Sequence, residues 1–390
     1  MKNEYDVIVV GGGPAGSITA KTAAEKGCDV LLIEKRQEIG DPSRCGEVCS
    51  KDVIARHIDL DSTWISAEIV GIRLNSPDGT PIIMKEDVGK PDIVIERRIF
   101  DMALAKNAAK AGAEICIKTC AIGVIKDNKS IGGVKVLSHG EEFEIKSKIV
   151  VGADGIESKI GRWAGIDTSL KLKNIESCVQ FIVTNVDINP NFCDLFVGNN
   201  VAPGGHAWIF PKGNRMANVG IGISGNRMNE AEHIDCLKRF INNRFPDSKT
   251  TGPMIGAVPI GKPIEKAVVN GLLLVGDAAR QADPIAGEGI SNAMECAKMA
   301  GNVIADAISK KDYSIKILNN YEKEWRATIG KTIEKNYRIK EMLLKMNDKQ
   351  LDDLAHLLKD VKFSEMSSLT FLKQLVKHNP RMLLELRPLL

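Results

Sequence analysis

The first sixteen residues constrain this chain more than any other stretch. Asp6 to Val10 is a short β-branched apolar run, the pattern of a strand buried on both faces. Gly11, Gly13 and Gly16 follow in G-x-G-x-x-G register. Pro14 to Lys26 reads as a helix, with Pro14 in the first turn, where its missing N–H costs nothing. In such a turn the first glycine permits the bend and the second lets backbone approach a pyrophosphate. The third allows close helix–strand packing, and the helix N-terminus faces the phosphate charge. A second strand, Asp29 to Ile33, ends at Glu34, about 20 residues beyond the glycines, where a carboxylate accepts from a ribose hydroxyl. A lone glycine-rich turn needs no ligand. Strand, glycines, helix, second strand and acidic end in this order point to a dinucleotide site.

At 390 residues the chain is too long for one simple core, and two or three domains are expected. A hydrophobic fraction of 44% with 26% charged residues is that of a soluble globular protein. The net charge of +3, with no aromatics interleaved with basic residues, argues against nucleic acid. The N-terminus runs straight into the first strand, without a signal peptide, and no apolar run approaches the roughly 18 residues of a membrane span. Nine scattered cysteines, an odd number, favour a reducing cytoplasm over an oxidised scaffold. With no C-x-x-C pair and no ligand-spaced histidines, no metal is expected.

Lys35 to Lys51 is dense in turn formers and reads as a long, functional loop. Its Cys45 and Cys49 are open to several readings: two small buried residues, neighbours on a turn, a strained disulfide, or a Cys45 that lies near a cofactor ring. Residues 65–95 alternate as antiparallel strands, a helix covers Asp101 to Ala111, a strand lies near Glu114 to Lys118, and 121–150 forms a meander. Lys148 to Gly155 is a buried strand opening into the turn Gly152-Ala153-Asp154-Gly155. A second such unit is Gly271 to Ala279, running through Pro284 and Gly289 into the helix Ser291 to Ala307. In a strand–turn–helix unit these junctions line a ligand crevice: Asp277 accepts from a ribityl hydroxyl, and the N–H groups of Gly289 and Ile290 face an anionic ring edge.

Between the two units, strand-like runs recur at Cys178 to Val186, Leu195 to Val197, His206 to Phe210 and Met216 to Ile223. The expected class is α/β: a Rossmann-type FAD-binding domain with an inserted antiparallel-sheet substrate domain and a C-terminal helical region. The expected boundaries are 1–165 for the FAD-binding domain, with 55–95 partly in the substrate domain, and 166–261 for the substrate domain. Residues 262–305 complete the FAD-binding domain, and 306–390 are helical, with Pro380 breaking the last helix.

Three motifs in this order, Gly11-x-Gly13-x-x-Gly16 with Glu34, Gly152-Ala153-Asp154-Gly155, and Gly276-Asp277-Ala278-Ala279 before Pro284, resemble the flavoprotein monooxygenase fold typified by p-hydroxybenzoate hydroxylase. More narrowly, Arg97-x-x-Phe100-Asp101-x-x-Leu104-Ala105, Arg44-Cys45-Gly46-Glu47 and Trp208-x-Phe210-Pro211-Lys212 are similar to the geranylgeranyl reductase family. That resemblance implies FAD bound by Ala15, Glu34, Cys45, Gly46, Arg97, Ala121, Asp277, Gly289 and Ile290, in addition to the glycine turn. It implies reduction of the C=C bonds of geranylgeranyl chains in archaeal-type ether lipids, with a prenylated glycerophospholipid as substrate. The chain departs from the family in two places: His206 replaces a tyrosine two residues before Trp208, and Val48 replaces a glycine after the Cys45-Gly46-Glu47 triplet.

Reducing an isolated alkene requires a hydride from reduced flavin and a proton at the other carbon. Cys45 and His206 are rival proton sources and the candidate catalytic residues. On a strand, Trp208 and Phe210 share a face, with Ile209 opposite; they form either the wall of a substrate pocket or ordinary sheet core. Only one dinucleotide fingerprint is present, so the electron donor, NAD(P)H or a ferredoxin-like protein, docks transiently. Lys310, Lys311, Lys316, Lys331, Lys335, Lys340 and Lys345 form either a solvated helix face or a contact with anionic headgroups at the membrane surface. The alternatives on this fold are an oxygen-using aromatic hydroxylase and an electron-transfer flavoprotein. The latter usually carries closely spaced iron–sulfur cysteines, and this sequence has none.

Overall fold

The computed structural model describes residues 1–85, 91–227 and 230–361. Its first sheet runs, edge to edge, Val268–Val269, Leu272–Leu274, Glu141–Gly152, Glu4–Val10, Val30–Ile33 and Glu114–Cys116. From Leu272–Leu274 onward every neighbour is parallel, with Val10 opposite both Ile33 and Gly152. Parallel strands flanked by helices are buried on both faces, which is why Val7, Ile8, Val9 and Leu31 are fully enclosed. The meander Thr119–Asp127 and Ser130–Ser138 pairs with the first half of the long strand Glu141–Gly152.

The helix Pro14–Glu25 follows the glycines and packs against the helix Ile290–Lys310. The two approach closely because Gly301 lacks a Cβ, which would sit 2.5 Å from that of Thr22. The helix expected from Asp101 begins earlier and spans Arg97–Lys110. Arg97 is therefore in its first turn, one turn before Asp101, and reaches that carboxylate at 2.8 and 2.7 Å.

The second sheet runs Lys249–Thr250, Ile175–Thr184, Met216–Ser224, His206–Pro211, Phe192–Phe196, Gly71–Asn75 and Pro81–Lys85, with Met254–Pro259 also beside Ile175–Thr184. Its pairings are antiparallel except that of Phe192–Phe196 with Gly71–Asn75. One face carries Val179, Phe181, Ile209, Val219 and Ile221, covered by Leu237 and Ile241 of the helix Glu230–Arg244. This helix is absent from the sequence reading. The opposite face, with Gln180, His206, Trp208 and Phe210, is turned toward the cysteine loop.

A third, three-stranded sheet of Val48–Ser50, Asp92–Ile95 and Ile65–Ile69 carries that loop. The C-terminal region is helical as expected, with Ile315–Trp325, Lys331–Leu343 and Asp348–Leu358 after Ile290–Lys310. Residues beyond 361, with the stop expected at Pro380, lie outside the described residues. Among the described residues no helix is long and apolar enough to cross a membrane.

Candidate active site

The glycine turn is built for close backbone approach. Gly11, at φ +113°, lies against the Ala153 carbonyl, and Gly16 against the carbonyl of Gly11, so a Cβ at either would collide with backbone. At Gly13 the space is open: nothing lies within 4 Å of a Cβ position at the mouth of the helix. Glu34 accepts from the N–H of Gly12 at 2.8 Å and of Arg36 at 2.9 Å, which aims its carboxylate at this turn. Gly276, at φ +71°, brings the distant Gly276–Ala279 turn against Ala15: a Cβ on Gly276 would lie 3.0 Å from that of Ala15. Thr119, which opens the strand of Ala121, donates its N–H to the Glu34 carbonyl at 2.9 Å. Ala121 thus sits on the Glu34 side, away from the cavity described below.

One buried polar atom here, Asp154 Oδ1, lacks a hydrogen-bond partner, while Oδ2 accepts from the N–H of Ile160 at 3.0 Å; among the described residues no donor reaches the half-buried Asp277 carboxylate. Burial pushes Asp277 up to about 6, against the opposing pull of Arg97. An unpartnered buried acceptor costs roughly 1–3 kcal/mol, and a ligand hydroxyl relieves that cost. With the open helix mouth and Glu34, the two carboxylates fit a dinucleotide with a polyhydroxyl linker.

Cys45 and Cys49 are free thiols. Burial raises both; at Cys45 the neighbouring Arg97 guanidinium opposes the rise and Glu47 adds to it. Arg97 therefore touches the cysteine loop as well as Asp101. The loop is pinned from the second sheet. Gln180 donates to the Cys45 carbonyl at 3.1 Å, and Asn218 to the Gly46 carbonyl at 3.3 Å and the Glu47 carboxylate at 2.7 Å. The buried Lys212 ammonium pairs with Glu47 and, at 2.6 Å, with Glu96. Glu47 also accepts from the N–H of Arg97 at 3.1 Å. These contacts hold Glu47 at φ +77°, a left-handed conformation costly for a side-chain-bearing residue.

A cavity of about 310 Å³ lies between this loop, the second sheet and the N-terminus of the helix Ile290–Lys310. Cys45, Gly46, His206, Trp208, Phe210, Gly289 and Ile290 all line it, with Ile72, Leu195, Met254 and Val258 as further apolar wall. Trp208 and Phe210 stack at 6.1 Å between centroids and 19° between planes, and Ile209 points into the opposite core. A Cβ on Gly46 would lie 2.8 Å from the Phe210 ring, and one on Gly220 would overlap the Trp208 ring. Trp208 Nε1 donates to Gln180 at 2.8 Å, which fixes the polar edge of the indole. Gly289 lies beside Asp277, joining the cavity to the dinucleotide side.

The expected site residues thus fall into one continuous run of contacts, apart from Ala121. Gln180, Asn218, Lys212, Glu47 and Glu176 carry no role in the sequence reading. For Glu176, Gln180 and Asn218 the signal is polar residues at alternate positions on strands whose other face is apolar, such as Glu176, Cys178 and Gln180. Lys340, grouped with the surface lysines by sequence, is buried and donates to the Ile260 carbonyl at 2.5 Å; burial lowers it to about 8.

Two family models match: a geranylgeranyl reductase catalytic domain over residues 174–258 and an NAD(P)-binding Rossmann-like domain over residues 9–64. The chain is 50% identical to the digeranylgeranylglycerophospholipid reductase of Methanosarcina acetivorans, covering 100% of this chain and 97% of that protein. It is 51% identical to digeranylgeranylglycerophospholipid reductase 2 of Methanococcoides burtonii, covering 99% and 96%. A geranylgeranyl bacteriochlorophyll reductase-like crystal structure from Thermoplasma acidophilum superimposes with a TM-score of 0.94 at 39% identity, covering 100% of both chains. Such identity over whole chains establishes that this chain belongs to the digeranylgeranylglycerophospholipid reductase family.

Proposed function

We propose that the protein reduces the isoprenoid C=C bonds of geranylgeranyl chains on archaeal-type ether phospholipids, with FAD as its cofactor. The observation that carries this reading is the apolar cavity between the cysteine loop and the helix N-terminus at Gly289, in a chain half identical to the named reductases. Gly11, Gly13, Ala15 and Gly16 would hold the pyrophosphate, Glu34 a ribose, and Asp277 the ribityl chain. Gly289 and Ile290 would meet the ring edge, and Cys45, Gly46 and Arg97 its face. Ala121 would border the adenosine side. When bound, the flavin supplies the hydride.

Trp208 and Phe210 hold an apolar chain in the cavity and exclude water from it. Two groups stand ready to protonate the second carbon: the Cys45 thiol, which burial keeps protonated, and the His206 imidazole. The electron donor, NAD(P)H or a reduced ferredoxin-like protein, docks transiently. The protein works from the cytoplasm at the membrane surface, where Lys310, Lys311 and Lys316 would meet anionic headgroups. Mass spectrometry of ether lipids from cells expressing the protein tests the reading. Gain of hydrogen pairs per chain is the expected result; gain of oxygen, or unchanged lipids in cells that supply a strong reductant, overturns it.

A further inference from the structure

Glu176 is a carboxylate the proposed reaction does not yet use. It is 4% exposed, yet it lines the cavity. Space for it is left by two glycines: a Cβ on Gly222 would overlap its carboxylate, and one on Gly205 would lie 2.7 Å from Oε1. Oε1 has no hydrogen-bond donor, and the nearest titratable ring is His206, whose Nδ1 stands 3.4 Å away. That separation is within ion-pair reach but outside hydrogen-bond alignment, and a small turn of the ring closes it. The other groups facing Glu176 are few. Lys340 of Lys331–Leu343 interacts with it electrostatically, Cys178 on its own strand donates to its carbonyl at 3.7 Å, and Gly287, with Glu288 beside it, approaches Oε2.

We propose that Glu176 is the positioning residue of a proton-donating pair. It accepts from Nδ1 of His206, fixes the ring's tautomer, and leaves Nε2 as the nitrogen that protonates the alkene. The inference rests on the reductase reading for its substrate. The atoms balance simply: one alkene carbon receives the hydride lost by reduced flavin, and the other forms its C–H bond as the Nε2–H bond of the imidazolium breaks. The product is the saturated pair, oxidised flavin and neutral His206, which takes its proton back from water. A histidine oriented by a buried carboxylate is a well-tried arrangement for moving protons, because the acid fixes the ring and stabilises its charged form.

Two measurements on the full-length protein test it. Correlation spectra of ¹⁵N-histidine-labelled protein, with His206→Gln identifying the resonance, report the tautomer directly. The neutral ring protonated at Nδ1 is expected; an Nε2-protonated ring overturns the pair, whatever the activity. In anaerobic single turnovers, flavin reoxidation by a geranylgeranyl lipid should slow about 10-fold or more in Glu176→Gln, with its pH profile displaced to lower pH. Glu176→Asp should recover part of the loss. Wild-type rate and profile in Glu176→Gln overturn the proposal. If Glu176→Gln does not fold, the wild-type spectrum and the turnover of His206→Gln decide. If wild-type flavin is never reoxidised by the lipid, the reductase reading fails and proton donation with it, while the spectrum still reports the tautomer.

Discussion

Asp277 shows how one residue's environment is decided by the chain around it. It follows the strand Leu272–Leu274 and a glycine at φ +71°, a turn that drives its carboxylate inward with no protein donor to meet it. A folded-state value of about 6 against 3.8 when unfolded means the folded chain binds more protons between those limits. Its contribution to stability is therefore greatest below the lower value and is lost as pH rises through the upper one, by on the order of 3 kcal/mol. In the cofactor-free protein, Asp277→Asn should match wild type in urea midpoint near the lower limit and exceed it at neutral pH. Parallel curves would sink this account. If the proposed flavin site is right, adding the cofactor should reverse the order, since the carboxylate then gains a hydroxyl donor.

At the scale of elements, local sequence rules explain where helices begin. The helix Asp348–Leu358 has a complete capping box: Asn347 accepts from the N–H of Gln350, whose side chain returns to the N–H of Asn347. Ala355 and Leu358 then pack on Ile82 and Leu74, covering the outer hairpin of the second sheet. Asn347→Ala should cost about 1 kcal/mol. Hydrogen exchange is expected to quicken across 348–358 while the first sheet stays protected; uniform protection would rule the cap unimportant. The helix Glu230–Arg244 teaches the converse lesson. Its Leu237 and Ile241, one turn apart, were a readable helix stripe amid strands, and they cover the sheet face opposite Trp208.

Across the whole molecule, the buried Lys212–Glu47 pair fastens the second sheet to the cysteine loop, with Asn218 and Glu96 completing the network. A buried pair broken on one side leaves an uncompensated charge, which costs about 3–5 kcal/mol. Lys212→Met should therefore lower the urea midpoint and loosen cofactor retention together. Lys212→Met with Glu47→Gln should regain much of the loss, because neither charge is then stranded. A double variant no better than the single would show that packing, not charge, is what Lys212 supplies.

The dinucleotide half was legible because its information is local: a strand, a glycine turn, a helix and an acid lie within Glu4 to Glu34, where backbone sterics leave few alternatives. The alternation of Trp208 and Phe210 against Ile209 was equally readable, being a property of any strand. Which of the two faces meets a cavity was not, because burial looks alike in sequence whether a ring packs on core or on a ligand. Nor was the meeting of Glu176 with His206, or of Glu47 with Lys212, whose partners are 30 and 165 residues apart along the chain. Sequence alone determined the glycine turn between strand and helix and the periodicity of the strands. Only the tertiary structure decided which polar side chains are taken from water and brought face to face, since that depends on pairings between strands distant in sequence.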